Sequence, residues 1–259
     1  MLLENQEKNS RVLVFVLAYN EAKNLPSILS EIKENLSDAD FEYKILVIND
    51  GSKDETENVL TDSEVSIITH PFNLGIGASE QTGLIYAFNK NFDIAVRLDG
   101  DGQHPPSAIK EILKKQKESG AHLVIGSRFK KGDKKGFKST FIRRIGIKYF
   151  SLLCWALTGI RIHDPTSGFR CYNREAIRFF TNIPPSDYPE VESIIDGIKN
   201  GLIIEEVPVS FKERSSGKST IKFFEKIYYI IKVTIAIIVA SMRKPSEDFK
   251  LTHRGENNG

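Results

Sequence analysis

The stretch Arg97-Leu98-Asp99-Gly100-Asp101-Gly102-Gln103-His104-Pro105-Pro106 joins an apolar run to a turn rich in oxygen ligands. The run 92–98 predicts a buried strand. Asp99 and Asp101 then stand one residue apart, a glycine follows each, and Gln103 adds an amide oxygen. Hard divalent cations prefer such oxygens, and a site of this kind leaves coordination positions open for phosphate. The pattern predicts a cation site, with an ordinary strand-ending Asp-Gly turn as the alternative.

Length and composition predict one domain with a single sizeable core. The chain has 259 residues, 40% of them hydrophobic, and a formal net charge of +2. So small a net charge creates no field typical of a nucleic-acid binder, and no nucleic acid is expected as a partner. Cys154 and Cys171 lack the spacing of a disulfide framework or a metal site, which indicates buried, reduced thiols in a cytosolic protein. The polar extension 1–10 lacks the apolar segment of a secretory signal.

Strands alternate with helices along the first half of the chain. The apolar periodicity predicts strands over 12–18, 43–48, 65–69, 92–98 and 122–125, and helices over 25–36, 53–60, 76–89 and 106–119. This alternation predicts an α/β fold with a doubly wound, mostly parallel sheet, in which ligands bind at the carboxyl ends of the strands. Three polar groups, 19–21, 50–52 and 99–103, each follow a predicted strand, so we expect them at one edge.

The glycines after the third predicted strand do not form a dinucleotide-binding fingerprint. Gly75 and Gly77 match its first two positions, but Glu80 stands where the third glycine is needed. The pattern also follows the third strand rather than the first, and the lysine motif of a P-loop is missing from the sequence. We therefore expect no nicotinamide or flavin cofactor.

Several short motifs, in order along the chain, resemble family 2 glycosyltransferases of the GT-A fold. These motifs are Ala18-Tyr19-Asn20-Glu21, 47–56, Asn73-Leu74-Gly75, 98–106 and Gly126-Ser127-Arg128. Two more, 164–170 and 211–219, resemble the dolichyl-phosphate mannose synthase branch more narrowly. The resemblance covers residues 11–220 and implies a GT-A (Rossmann-like) α/β domain, with a mostly parallel mixed sheet flanked by helices.

The resemblance implies a donor side that binds a nucleotide-diphosphate sugar, linked to UDP or GDP. Asp99, Asp101 and Gln103 would hold Mg²⁺ or Mn²⁺, with Asp99 also facing the ribose. The implied nucleotide-sugar-binding residues are Ala18, Tyr19, Asn20, Glu21, Asp50, Gly51, Ser52, Gly75, Asp99, Arg128, Arg214 and Lys218. Asn49 departs from the commoner Asp-Asp-Gly-Ser form, which leaves the identity of the base open between uracil and guanine.

The implied reaction is an inverting sugar transfer, and displacement at the anomeric carbon develops negative charge on the diphosphate. A cation and basic side chains would stabilise that charge. We expect Asp101, Arg128 and Asp164 to be the catalytic residues. Arg128 directly follows a predicted strand, and in the resembling family this position lies beside the diphosphate.

The acceptor side is predicted from the second half of the chain. Asp164 is a candidate for the carboxylate that orients or deprotonates the acceptor, although it could simply start a turn. Further acceptor-side candidates are Ser167, Arg170, Glu190 and Glu192. The two glutamates are rival bases, but at a spacing of two on a helix they cannot both face the site. A sugar hydroxyl needs a general base, whereas a lipid phosphate is already anionic. His104 and His163 are expected to be structural.

A C-terminal amphipathic helix is predicted over 221–244, followed by a polar tail, 245–259, that we expect to be disordered. Basic residues recur along one stripe of the helix. Its uncharged run, 233–242, is far shorter than the roughly twenty residues of a spanning helix. An interfacial helix with basic anchors fits better, and the apolar stretch 145–160 could lie beside it. Either segment could instead be core or an interface in a homo-oligomer.

These patterns together predict a metal-dependent glycosyltransferase that transfers a sugar to a polyprenyl phosphate. We expect it to be cytoplasmic and peripheral on the inner face of the cytoplasmic membrane. One alternative is the same chemistry on a sugar hydroxyl of a surface polysaccharide or glycolipid. An alternative of another class is a non-catalytic nucleotide-sugar-binding module.

Overall fold

A computed structural model describes residues 10–59, 64–130, 141–183, 189–212 and 223–245, and within α4 and α7 it describes no side chains for 141–143 and 223–229. The strands are β1 Arg11–Ala18, β2 Glu42–Asn49, β3 Val65–Thr69, β4 Ile94–Asp99, β5 Leu123–Ser127, β6 Arg170–Asn173 and β7 Ile204–Pro208. The helices are α1 Leu25–Leu36, α2 Ile76–Asn89, α3 Ile109–Ser119, α4 Phe141–Thr158, α5 Arg174–Asn182, α6 Pro189–Lys199 and α7 Phe223–Met242, and a single 3₁₀ turn, Pro106–Ala108, precedes α3.

The strands form one sheet in the order β3-β2-β1-β4-β6-β5-β7. β3, β2, β1 and β4 are mutually parallel, and so are β5 and β7. β6 pairs antiparallel with both β4 and β5, and so joins the two parallel groups. The prediction of a mostly parallel mixed sheet flanked by helices is confirmed.

The central strand β1 is buried on both faces, as its unbroken apolar sequence predicts. Alternate side chains of a strand point to opposite faces. Val12, Val14 and Val16 accordingly pack in one apolar cluster with α1 and α3, while Leu13 and Phe15 pack in a second with α2 and α5. The helices therefore cover both faces and leave the carboxyl ends of the strands as the site for ligands.

The predicted helix over 53–60 is wrong for the residues that the structure describes. Residues 55–59 form turns rather than a helix. Asp54 accepts hydrogen bonds from the backbone N–H groups of Ala22 and Thr56, at 3.2 and 3.0 Å. Thr56 in turn accepts from the Glu21 N–H at 2.9 Å. Short polar side chains that bond to the backbone compete with helix formation, and here they tie the segment to the end of β1.

A third apolar cluster joins α4, α6 and α7. Its buried members are Phe150, Cys154, Val191, Ile195, Val233, Ile237 and Ala240. Tyr149 and Thr234 add a hydroxyl–hydroxyl contact of 3.1 Å between α4 and α7. One side of α4 and one side of α7 are therefore part of the core. This agrees with the alternative, given above, that these segments are core. Both cysteines are free and buried, as predicted.

Candidate active site

The parallel register brings the polar strand ends together. Ala18 is level with Asn49, and Leu17 is level with Asp99. The N–H of Asp50 donates to the Ala18 carbonyl at 2.9 Å, and the N–H of Gly100 donates to the Leu17 carbonyl at 2.7 Å. The turns after β1, β2 and β4 therefore share one edge of the sheet, as the sequence predicts.

The acidic turn after β4 is partly exposed. The Asp99 side chain is 28% exposed, and Asp101 and Gln103 are of intermediate exposure. Oδ1 of Asp101 accepts a hydrogen bond from the Gln103 N–H at 3.0 Å, which closes a tight turn. Nδ1 of His104 accepts from the Asp99 N–H at 2.9 Å, and its buried ring lies among Phe169 and Phe211. His104 therefore holds the turn in place.

Neighbouring charges keep Asp99 ionised. Burial acts to raise the pKa of Asp99, but the positive fields of His104, Arg97 and Arg128 outweigh it, and the pKa is lowered from its usual value. Burial lowers the pKa of His104 itself, so near neutral pH the two arginines are the cations that act on this carboxylate. Asp99 therefore presents a charged oxygen ligand at the strand end.

The donor set of the turn suits a cation that arrives with phosphate. Two carboxylates and one amide are hard oxygen ligands. The residues that the structure describes contain no group of three or more His, Cys, Asp or Glu side chains arranged to hold a metal ion. Asp99 and Asp101, with Gln103, could supply part of a coordination shell, and oxygens from a bound diphosphate would have to complete it. A cation held there would supply Lewis-acid stabilisation of a departing diphosphate.

A buried arginine below the acidic turn is a residue that the sequence analysis missed. Arg97 has no exposed side-chain surface and forms ion pairs with Glu80, Asp99 and Glu190. The Tyr172 hydroxyl donates to the other oxygen of Glu80, so the network continues into β6. The signal that could have found it is an arginine within the apolar stretch 94–98, because arginine is almost never fully buried unless it is paired.

Asp50, which the sequence predicts to be a nucleotide-binding residue, organises a loop. Its Oδ1 contacts His70 Nδ1 at 2.8 Å and accepts from the Leu74 N–H at 2.9 Å, while Oδ2 accepts from the Gly75 N–H at 2.9 Å. Gly51 has a φ of 64°, and a Cβ there would collide with the backbone of Phe72. Only glycine fits such a turn without strain.

The turn after β1 is tied to the turn after β2. The Asn20 N–H donates to Ser52 Oγ at 2.9 Å, and Asn20 Oδ1 accepts from the Lys53 N–H at 2.8 Å. Ala18 is buried, Tyr19 and Asn20 are exposed, and Glu21 contacts Asn24 through Oε2 at 2.6 Å. The predicted nucleotide-side residues of these two turns therefore lie together.

The predicted catalytic residues Arg128 and Asp164 bind each other. Arg128 Nε and Nη2 donate to the two Asp164 oxygens at 2.6 and 2.7 Å, and the Arg128 N–H donates at 3.0 Å. Arg128 Nη2 also donates to Thr166 Oγ1 at 3.0 Å. Asp164 is completely buried and Arg128 is buried. Paired in this two-pronged geometry, Asp164 holds the guanidinium in place.

Glu206 on β7 is a second residue that the sequence analysis missed. Its Oε1 accepts from the Asp164 N–H at 2.9 Å, and its Oε2 accepts from the His163 N–H at 2.8 Å and contacts His163 Nδ1 at 2.8 Å. Glu206 is buried, and its hydrogen bonds to two backbone N–H groups fix the backbone that carries Asp164. The pattern Ile204–Pro208, IEEVP, gives no sign of this contact in the sequence, because an acidic residue in a short strand is usually solvated.

The acceptor-side candidates divide into two groups. Ser167 Oγ donates to the Gly126 carbonyl at 2.6 Å, and Arg170 Nη1 donates to Ser193 Oγ at 2.6 Å, so both are engaged inside the protein. Glu190 is 14% exposed and faces Arg97, with a distance of 2.9 Å between Oε1 and Nη2. Glu192 is buried and faces Arg243 at the end of α7, at 3.0 Å. The two glutamates face different partners, as their spacing predicts.

Two predicted nucleotide-sugar-binding residues, Arg214 and Lys218, lie outside the described residues.

The outward faces of α4 and α7 are apolar. The exposed large apolar side chains on α4 are Ile145, Tyr149, Leu152, Trp155 and Leu157, and on α7 they are Ile231, Ile235, Ile238, Val239 and Met242. We call these residues the outer apolar face. In the described part of the chain, no helix is both long and apolar enough to cross a bilayer.

Comparison with known proteins agrees with this fold. A family model described as "Glycosyl transferase family 2" matches residues 13–180. The chain belongs to this family, and it is a glycosyltransferase. A polyprenol monophosphomannose synthase of Mycolicibacterium smegmatis is 31% identical over 219 residues, which cover 81% of this chain and 80% of that protein. A UDP-N-acetylglucosamine–dolichyl-phosphate N-acetylglucosaminyltransferase of Methanococcus voltae is 28% identical and covers 84% of this chain and 93% of its own length.

Solved structures confirm the GT-A-like architecture. The crystal structure of glucosyl-3-phosphoglycerate synthase from Mycobacterium tuberculosis, in complex with Mn²⁺, UDP and phosphoglyceric acid, superposes with a TM-score of 0.67. The match covers 92% of this chain and 80% of that one at 19% identity, a level at which the likeness concerns the fold.

Proposed function

We propose that this glycosyltransferase moves a sugar from a UDP- or GDP-linked donor to a polyprenyl phosphate, with inversion and with Mg²⁺ or Mn²⁺. The observation that carries the proposal is the partly exposed pair Asp99 and Asp101 at the carboxyl end of β4, beside the turns that hold Asp50 and Tyr19. A cation at these carboxylates would neutralise the charge that develops on the departing diphosphate. The solved relative in complex with Mn²⁺ and UDP supports this assignment by fold.

The burial of Asp164 favours a phosphate acceptor over a hydroxyl. Asp164 has no exposed surface, and its two oxygens are held by Arg128 and Thr166. A base must reach the proton that it removes. A phosphate monoester needs no such base, because its attacking oxygen already carries charge near neutral pH. Two relatives, a polyprenol monophosphomannose synthase of Mycolicibacterium smegmatis and a dolichyl-phosphate N-acetylglucosaminyltransferase of Methanococcus voltae, support a polyprenyl-type phosphate as the acceptor.

The outer apolar face supports action at the surface of a membrane. Tyr149 and Trp155 are aromatic residues of the type that lies at lipid headgroups, and Lys148, Lys232 and Lys244 flank the apolar side chains. The sequence of α4 contains no acidic residue. An interfacial helix pair of this composition would bring the enzyme to a lipid-borne acceptor on the cytoplasmic face.

The donor half of the proposal is tested with Asp101→Ala. Release of nucleoside diphosphate from labelled UDP- and GDP-sugars with Mn²⁺ should fall by about a hundredfold, because the variant loses a cation ligand and the transition-state stabilisation that depends on it. Asp40→Ala is the matched control. It changes an exposed aspartate just before the amino end of β2 and should retain activity. Equal turnover in wild type and Asp101→Ala would contradict the proposed cation site.

The acceptor half is tested by partition of the label. Wild-type enzyme receives labelled donor and one of three acceptors: a polyprenyl phosphate, the matching polyprenol without phosphate, or an oligosaccharide. We expect label in the organic phase with the phosphate alone. Transfer to the oligosaccharide would support the hydroxyl-acceptor reaction, for which Glu190 is the partly exposed base. Donor binding without transfer to any acceptor would favour a non-catalytic module.

A further inference from the structure

One nitrogen of Arg97 is shared by two carboxylates that come from opposite sides of the site. Arg97 Nη2 donates to Asp99 Oδ1 at 3.2 Å and to Glu190 Oε1 at 2.9 Å. Asp99 ends β4, and Glu190 lies in the first turn of α6. The other terminal nitrogen, Nη1, is bound by Glu80. The guanidinium is therefore fixed from the inside and divides its outer nitrogen between donor side and acceptor side.

The charges around Arg97 do not balance. Glu80, Asp99 and Glu190 place three carboxylates around one guanidinium. Glu80 is buried, whereas the Asp99 and Glu190 side chains are 28% and 14% exposed. Within these ion pairs, the excess negative charge lies on Asp99 and Glu190, the two carboxylates with exposed surface. A cation bound at Asp99 would relieve that excess.

The backbone confines this contact. A Cβ added to Gly168 would lie 2.8 Å from Arg97 Nη2 and 2.9 Å from Asp99 Oδ2. Gly168 stands two residues before β6, so the segment that leads into this strand packs closely against the Arg97–Asp99 pair. Packing this close leaves the two side chains little room to separate.

We propose that Arg97 is a positioning residue for the cation site and that Glu190 sets how firmly Arg97 holds Asp99. The inference rests on the proposed function. A carboxylate oxygen that accepts a hydrogen bond from a guanidinium is a weaker ligand for a cation. Glu190 competes with Asp99 for Arg97 Nη2 and offsets part of the guanidinium charge. Arg97 then holds the Asp99 carboxylate less firmly, which leaves it able to bind the cation. Because Glu190 lies in the first turn of α6, the affinity of the cation site depends on where that helix lies.

The test is Mn²⁺ binding measured by electron paramagnetic resonance with UDP or GDP present and no acceptor. Glu190→Gln keeps the size and a hydrogen-bond acceptor but removes the charge. We expect its apparent Kd for Mn²⁺ to rise about tenfold, which is about 1.4 kcal/mol. Glu175→Gln is the matched control, since it makes the same charge change in the first turn of α5, next to Arg174, which bonds to the Phe92 carbonyl just before β4. Its Kd should stay within about twofold of the wild-type value, because Glu175 lies near the end of β4 opposite to Asp99.

Glu190→Asp, with the charge on a shorter side chain, should give a Kd between those of wild type and Glu190→Gln. Thermal unfolding of each variant checks that it is folded. Equal weakening by Glu175→Gln and Glu190→Gln would show a general charge effect and overturn the inference. So would wild-type affinity in Glu190→Gln while Asp101→Ala loses Mn²⁺. If wild type itself binds no Mn²⁺ with either nucleotide, the proposed cation site fails and the inference fails with it.

Discussion

At the scale of single residues, the site is built from charged pairs with different exposure. Asp99 and Asp101 keep surface at the strand end, whereas Arg128 and Asp164 close on each other inside the protein. The first pair is available to a ligand. The second pair, Arg128 and Asp164, has a structural role, since its hydrogen bonds are satisfied within the protein.

We predict that Gly168→Ala weakens cation-dependent donor binding. The new Cβ would meet the end of the Arg97 side chain and the Asp99 carboxylate at less than van der Waals distance, so these two must move. Calorimetric titration of UDP or GDP with Mn²⁺ should show an affinity lower by about tenfold. Gly146→Ala is the control, because a Cβ at that helical glycine meets nothing within 4 Å. Unchanged affinity in Gly168→Ala would show that the turn tolerates displacement.

We predict that Asp164→Asn destabilises the protein more than it slows chemistry. Removing one partner of a buried ion pair leaves the Arg128 charge uncompensated, which costs about 3 kcal/mol in the free energy of unfolding. Urea unfolding measures this loss, and the exposed substitution Asp40→Asn should change stability by less than about 0.5 kcal/mol. A large fall in kcat at wild-type stability would instead identify Asp164 as a base.

At the scale of elements, sequence periodicity predicts the strands and helices that are long and apolar. β1, α1 and α2 lie where the pattern predicts them. β6 was not predicted, because four residues, Arg170–Asn173, carry too short a pattern and their pairing with β4 is non-local. The helix over 53–60 was wrong because Asp54 and Thr56 bond to neighbouring backbone.

The same contrast holds for the site. Asp99, Asp101, Asp50 and Tyr19 could be predicted, since each follows a strand whose direction the alternation fixes. The partners Arg97, Glu80 and Glu206 could not be assigned, because their contacts join residues as much as 93 positions apart in the chain. Such contacts depend on side-chain packing, which periodicity does not describe.

We predict that the double variant Ile231→Ser/Ile235→Ser binds lipid vesicles more weakly. These side chains of the outer apolar face are 55% and 57% exposed, so insertion into lipid would bury about half of each. The loss should be about 2 kcal/mol, or about thirtyfold in partitioning to vesicles of anionic lipid. Ile203→Ser, at a 53% exposed isoleucine before β7, should bind as wild type does. If the double variant binds unchanged but elutes as a smaller species, the face is an interface between copies.

At the scale of the whole molecule, α7 is fastened to the domain by charges as well as by its apolar inner side. Lys199 Nζ donates to the Ser241 carbonyl at 2.5 Å and so caps the end of α7. Arg243 Nη1 lies 3.0 Å from Glu192 Oε1 and 3.3 Å from Asp196 Oδ2. Deleting the helix would expose the apolar side of α6, and we expect such a deletion to disturb the fold as well as any membrane contact.

We predict that acid stabilises this junction. Burial raises the pKa of Asp196 to about 6 from 3.8, with Glu192 adding to the effect and Arg243 and Lys199 opposing it. A carboxyl with a raised pKa binds its proton more tightly when folded, so its contribution to stability grows as the pH falls from 7.5 to 5. Relative to Asp196→Asn, wild type should gain about 1 kcal/mol in urea unfolding over this interval. A difference independent of pH would contradict the raised pKa.

The position of β6 between β4 and β5 also fixes the order in which the molecule can be assembled as it is synthesised. β5 is synthesised before both of its neighbours in the sheet. β6 begins 43 residues after the end of β5, and β7 begins 77 residues after it. The four parallel strands up to residue 99 can pair at once, but the edge of β4 stays open until residues 170–173 arrive. A nascent chain therefore carries the acidic turn long before Glu190 completes its surroundings. The surroundings of the acidic turn are complete only after β6 and α6 have been synthesised, and a chain that ends before residue 170 has an open sheet edge at β4.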